Sequence, residues 1–142
     1  MSNAKPRDLC ERTFLFACDI VRFCREVAKE PGAPRQIAAQ LLDAGTSIGA
    51  NTEEARGAYT RREFASKNSI VLKECRETRF WLRVILATGL AASETVAPLL
   101  GEANELVGIF TATVRRSRLP IAASKLLVFL FVVLVLTFSL SF

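Results

Sequence analysis

The sequence predicts an all-α fold, an up-down-up-down four-helix bundle with a hydrophobic C-terminal tail, on three observations. Ala, Leu, Glu and Arg dominate the 142 residues, and β-branched runs are absent before the last stretch of the chain. Four segments repeat apolar residues at alternating spacings of four and three, the period of a helix packed on neighbours. Between them stand residues that stop and restart helices: Glu30-Pro31-Gly32, Gly57 with Thr60 and Glu63, and Gly89 with Ser93. The length suits one core-bearing domain, residues 1–119, with residues 120–142 as the tail.

Asp8 can cap a first helix that runs to about Lys29. Two adjacent seams, Leu9-Thr13-Phe16-Ile20-Phe23-Val27 and Cys10-Phe14-Ala17-Val21-Cys24-Ala28, give it an apolar face wide enough for more than one neighbour. The second helix starts at about Pro34, a tolerated first-turn proline, and reaches about Arg56, with its seam at Ile37, Leu41, Ala44, Ile48, Asn51 and Ala55. Gly45 and Gly49, which cost about 1 kcal/mol each relative to alanine in a helix, imply a closely approaching neighbour.

Gly57 ends that helix, and Thr60-Arg61-Arg62-Glu63 reads as a capping box for the next. Tyr59 and Phe64 stand at the positions of a hydrophobic staple. The third helix runs from Arg61 to about Thr88, with its seam at Phe64, Asn68, Val71, Cys75, Thr78, Leu82 and Ile85. Folded back on the second, it sets Ala55 opposite Phe64, Ile48 opposite Val71 and Ala44 opposite Cys75. Asn51 then faces Asn68, a buried amide pair that would penalise slipped registers. Ser93 can cap a fourth helix that passes Pro98 in its early turns and ends near Arg118, where Pro120 follows.

The chemistry is narrower than the fold. No histidine is present, which removes the usual triads and the Glu-x-x-His ligands of a bundle di-metal centre. Glu53, Glu54, Glu74 and Glu77 are then read as partners of Arg56, Arg76 and Arg79 rather than as metal ligands. Gly45, Gly49 and Gly57 lack the Gly-Lys-Ser/Thr of a phosphate loop. Cys10, Cys18, Cys24 and Cys75 have no Cys-x-x-Cys spacing and read as reduced core thiols. Neither an enzyme nor a cofactor is expected. Nineteen Lys and Arg against fourteen Asp and Glu leave a net charge of +5, and Arg61, Arg62, Lys67, Lys73, Arg76, Arg79 and Arg83 all fall on the third helix. They are candidate contacts for RNA or DNA phosphates; the competing reading is a solvated face neutralised by Glu63, Glu74 and Glu77. Phe80 and Trp81 fall off the seam and are candidate anchors of an oligomer interface.

The motifs "DLCERTF", "SIGANTEEARGAYTRREF", "KECRETRFWLRVILATGL" and "EANELVGIFTATVRRSR", in this order, resemble the 23S rRNA intervening-sequence proteins of bacteria, over roughly Asp8 to Arg118. The resemblance implies a four-helix bundle that assembles as a homopentamer and has no established enzymatic activity. Similar bundles include the accessory variability determinant of diversity-generating retroelements, a basic pentameric scaffold that binds nucleic acid and a reverse transcriptase. A reverse-transcriptase-like protein is therefore a second expected partner.

The tail departs from the family pattern. Ile121 to Phe142 would span about 33 Å as a helix at ~1.5 Å per residue, enough to cross a bilayer core near ~30 Å. Arg115, Arg116, Arg118 and Lys125 precede or open it, so a tail anchor would hold the bundle on the cytoplasmic face of a membrane. The alternative expectation is an extension without a role. A cytoplasmic, non-catalytic scaffold is the expectation overall, with a membrane-tethered scaffold and a carboxylate metal-dependent enzyme as the rivals.

Overall fold

The computed structural model describes residues 8–118. They form four helices in chain order: α1 (Leu9–Val27), α2 (Ala33–Arg56), α3 (Arg61–Thr88) and α4 (Ser93–Arg118). No strand occurs among the described residues. The tail, with the anchor reading placed on residues 121–142, lies outside them. No helix among the described residues is long and apolar enough to cross a membrane.

Successive helices pack antiparallel, α1 on α2, α2 on α3 and α3 on α4, while α1 and α4 touch only sparsely. The core that results is continuous, from Phe16, Ile20 and Phe23 of α1 through Leu41 and Ile48 of α2 and Val71, Cys75, Leu82 and Ile85 of α3 to Val96, Leu106 and Phe110 of α4. Every residue of the expected α3 seam is buried except Phe64. The sparse α1/α4 contact is bridged by charge: Arg12 donates from Nε to Glu102 at 2.5 Å and from Nη2 to Glu105 at 2.7 Å. The second seam of α1 runs along the side that borders α2, away from α4; it is buried at Cys10 and Cys24, while Phe14 and Val21 remain 56% and 46% exposed.

The small residues of α2 act where α1 crosses it. A β-carbon at Gly45 would lie 2.7 Å from Ile20 Cγ2, and one at Gly49 would meet the Thr13 carbonyl oxygen at 3.4 Å. The turn glycines act differently. Gly89 closes α3 in the left-handed conformation (φ 67°), with the Leu90 amide donating to Ile85 O and the Gly89 amide to Leu86 O.

Four local expectations are corrected. Asn51 and Asn68 share no hydrogen bond; each amide donates to the carbonyl one turn back on its own helix, Ser47 O at 2.9 Å and Phe64 O at 2.8 Å. That partner lies within reach before any other helix packs. Thr52, rather than Asn51, takes the buried position. The capping box forms between Thr60 Oγ1 and the Glu63 amide (3.1 Å), but the Glu63 carboxylate reaches one residue further, to the Tyr59 amide at 3.0 Å. Tyr59 is 97% exposed and no staple with Phe64 exists, since this bond fixes the Tyr59 backbone and leaves its ring in solvent. At α4, Ala92 O accepts from the Thr95 and Val96 amides, so Ser93 is the first helical residue and its hydroxyl bonds Glu94 instead.

Candidate nucleic-acid interface

Helix α3 lies between α2 and α4, so only one side of it faces outward. A helix turns about 100° per residue, and positions separated alternately by four and three share one line along its surface. Arg62, Ser66, Ser69, Lys73, Arg76, Phe80, Arg83 and Ala87 follow that spacing without a break, and all are exposed except the half-buried Ser69. The next line holds Glu63, Lys67, Ile70, Glu74, Glu77 and Trp81. The outward side of α3 is thus a basic stripe beside an acidic one.

The cations of the basic stripe are not neutralised by their neighbours. Among the described residues, Arg62, Lys73, Arg76 and Arg83 of the stripe, and Arg79 one residue off it, have no carboxylate within ion-pairing distance. The competing reading assigned Glu63, Glu74 and Glu77 to them. Instead Glu63 is held by the Tyr59 amide, and Glu77 accepts from Trp81 Nε1 at 3.5 Å. The Glu74 carboxyl is pushed above its ordinary range by burial and by the nearby charge of Glu77, partly offset by Lys73. Charges elsewhere do pair: Arg22 with Asp19, Lys29 with Glu26, Arg56 with Asp8 and Arg12 with Glu102.

Two of the candidate cations are already engaged. Lys67 pairs with Glu54 across the α2/α3 hairpin, between the facing pairs expected there. Arg61 Nη2 donates to the Arg116 carbonyl at 3.1 Å, satisfying one of the acceptors left at the end of α4. This bond lays the last turn of α4, with exposed Arg115, Arg116 and Arg118, beside the start of α3 and extends the basic surface there.

Beside the stripe, α3 and α4 form a groove of about 630 Å³ lined by Arg79, Arg83, Leu86, Ala87, Leu100 and Asn104. Its walls combine two cations and an amide with an apolar floor. Phe80 and Trp81 part company: Trp81 packs against the core of its own chain, whereas Phe80 is 52% exposed among the cations. The two rings meet edge to face, centroids 4.9 Å apart at 72°, which orients Phe80. The α3/α4 groove and the engagement of Arg61 are absent from the sequence expectations because both depend on how α4 packs against α3.

The other candidate chemistry finds no assembly. Among the described residues no three acidic or cysteine side chains gather as metal ligands, and Glu54 is taken by Lys67. The cysteines are free, and burial pushes the thiols of Cys24 and Cys75 up to about 12.

Comparison with known proteins agrees with this fold. A crystal structure described as a protein of unknown function from the S23 ribosomal protein family of Bacteroides thetaiotaomicron is 28% identical, with a TM-score of 0.69 over 75% of this chain and 98% of that one. No match is found among curated proteins. The family model described as 23S rRNA-intervening sequence protein matches residues 7–112, which takes in α1, α2, α3 and most of α4. On that match the chain belongs to the 23S rRNA-intervening sequence protein family.

Proposed function

We propose that this chain is a non-catalytic, homo-oligomeric scaffold that binds nucleic acid through the outward side of α3. One observation carries the reading: Arg62, Lys73, Arg76 and Arg83 share one line of α3, with Arg79 beside it, and none of the five has an ion-pair partner among the described residues, whereas Arg12, Arg22, Arg25, Arg56 and Lys67 do. Leaving like charges in a row is unfavourable for the isolated chain, and a polyanion with released counterions offsets that repulsion. RNA or DNA fits this row better than a reverse-transcriptase-like protein does, because regularly spaced point charges answer regularly spaced phosphates.

The oligomer is the second half of the proposal. Phe14 and Val21 expose apolar surface along the edge of α1 that borders α2, with Leu15 exposed nearby, and a second copy of the chain is the occupant. The homopentamer implied by the family resemblance would repeat the basic stripe five times and turn weak phosphate contacts into useful avidity. Phe80 suits a subunit contact less well than α1 does, since interface cores are depleted in charge and Phe80 stands among cations.

The test is binding of labelled RNA and DNA across a salt series, with Arg76→Glu and Arg83→Glu as variants. Affinity should fall steeply with salt, and charge reversal should weaken binding and flatten the salt slope by about one unit per lost contact. Absence of binding at low salt would sink the reading.

A further inference from the structure

The basic stripe is not uniformly polar. Phe80 interrupts it half exposed, with Arg76 one turn before and Arg83 one turn after, each close to the ring at the ~5–6 Å spacing of neighbouring turns. A large apolar ring surrounded by cations gains nothing from water, and the neighbouring carboxylates do not screen it. Its orientation is set by Trp81, which is itself packed on the core, so the ring is presented rather than loosely attached. Next to it runs the α3/α4 groove, where Arg79, Arg83 and Asn104 offer donors above Leu86, Ala87 and Leu100.

A duplex would use the cations and leave this arrangement idle, because its bases are already stacked on one another and only phosphate and sugar would reach Phe80. A single strand has unstacked bases to place. Building on the nucleic-acid reading above, we infer that the stripe receives a single strand of RNA or DNA, with one base stacked on Phe80 and its flanking phosphates taken by Arg76 and Arg83. The adjoining groove then holds the neighbouring nucleotide, with Arg79 and Asn104 as donors to it. The arrangement repeats the general physics of single-strand binding, in which an aromatic platform supplies sequence-tolerant stacking inside a positively charged track.

The experiment compares full-length wild type with Phe80→Ala, Phe80→Leu and Phe80→Tyr by fluorescence anisotropy on a labelled single strand of about 20 nucleotides and on its duplex. Phe80→Tyr should bind the single strand like wild type, whereas Phe80→Ala and Phe80→Leu should bind it about 5- to 100-fold more weakly. Duplex affinity should change by less than about twofold in all three, since phosphate contacts alone carry it. Leucine keeps apolar bulk, so a loss shared by Ala and Leu but not Tyr reports the ring rather than packing. Unchanged single-strand binding by Phe80→Ala, with Arg76→Glu and Arg83→Glu still defective, would overturn the stacking inference and leave the phosphate reading standing. Equal losses on single strand and duplex, or dissociation of the assembly by Phe80→Leu, would overturn it in favour of a structural role. No binding of either nucleic acid by wild type would remove the reading and the inference together.

Discussion

Replacing Gly45 by alanine tests why α2 carries small residues in its middle. The added β-carbon would stand 2.7 Å from Ile20 Cγ2, 3.0 Å from Cγ1 and 3.2 Å from Cβ, against an ordinary carbon contact of about 3.5–4.0 Å. Ile20 is fully buried, and a β-branched side chain in a helix has one strongly preferred rotamer, so it cannot swing aside. Overpacking of this kind costs about 1–3 kcal/mol, while the helix gains about 1 kcal/mol from losing a glycine. The expected outcome is a net destabilisation of up to about 2 kcal/mol. Gly101→Ala and Gly108→Ala are the controls, because nothing lies within 4 Å of a β-carbon at either site, and both should stabilise by up to about 1 kcal/mol. Urea unfolding followed by far-UV circular dichroism at one fixed protein concentration measures all three. In an Ile20→Ala background, where the two closest γ-carbons are gone and only the β-carbon contact at 3.2 Å remains, Gly45→Ala should cost less than it does in the wild-type background. If Gly45→Ala alone is as stabilising as Gly101→Ala, the α1/α2 approach is not set by Gly45.

Three further outcomes follow from the core and the charges. Thr78 Oγ1 is buried with no hydrogen-bond partner among the described residues, so Thr78→Val should raise the urea midpoint, by roughly 1 kcal/mol in stability. Glu74 has a folded-state pKa raised above the ordinary 4.5, so the folded chain holds that proton more tightly than the unfolded one, and the group lowers stability as pH climbs past 4.5. Glu74→Gln should therefore raise the melting temperature at pH 7, and the difference should shrink as pH falls to 4.5 and below. Ellman's reagent at pH 8 should titrate Cys18, which is half-buried, well before Cys24 and Cys75, whose thiols stay protonated until about pH 12; all four should react after unfolding.

Much of the fold was legible because its signals are local. The bounds of α3 follow from the Thr60/Glu63 box and from Gly89, both within a few residues of the ends they set. Gly45 and Gly49 announced a close approach, and the structure identifies the neighbour as α1. What stayed hidden depends on the third dimension. Two adjacent seams on α1 promised two neighbours, but Phe14 and Val21 of the second lie along the outer edge of the α1/α2 contact and stay exposed, and no spacing within α1 could have said so. The Arg12 bridge to Glu102 and Glu105 joins residues about ninety positions apart in sequence, beyond any local rule. Asn51 and Asn68 mislead for the opposite reason: a carbonyl one turn back satisfies each amide before packing is consulted.

The basic residues of α3 were visible as a group, and their division into engaged and unneutralised members was not. Sequence spacing puts Glu63, Glu74 and Glu77 near Arg62, Arg76 and Arg79, yet a one-residue offset on a helix is a 100° turn, enough to send the acids to the next stripe. Only with α2 and α4 in place does that stripe become the outward side of the bundle.

A scaffold of this kind requires assembly to multiply the stripe, and the mass of the native chain in solution tests that most directly. Sedimentation equilibrium or light scattering should return an oligomer, five copies of a 15.6 kDa chain at about 78 kDa for the pentamer, and Phe14→Glu with Val21→Glu should dissociate it while the helices remain folded. A chain that stays at 15.6 kDa across the working concentration range would contradict the scaffold.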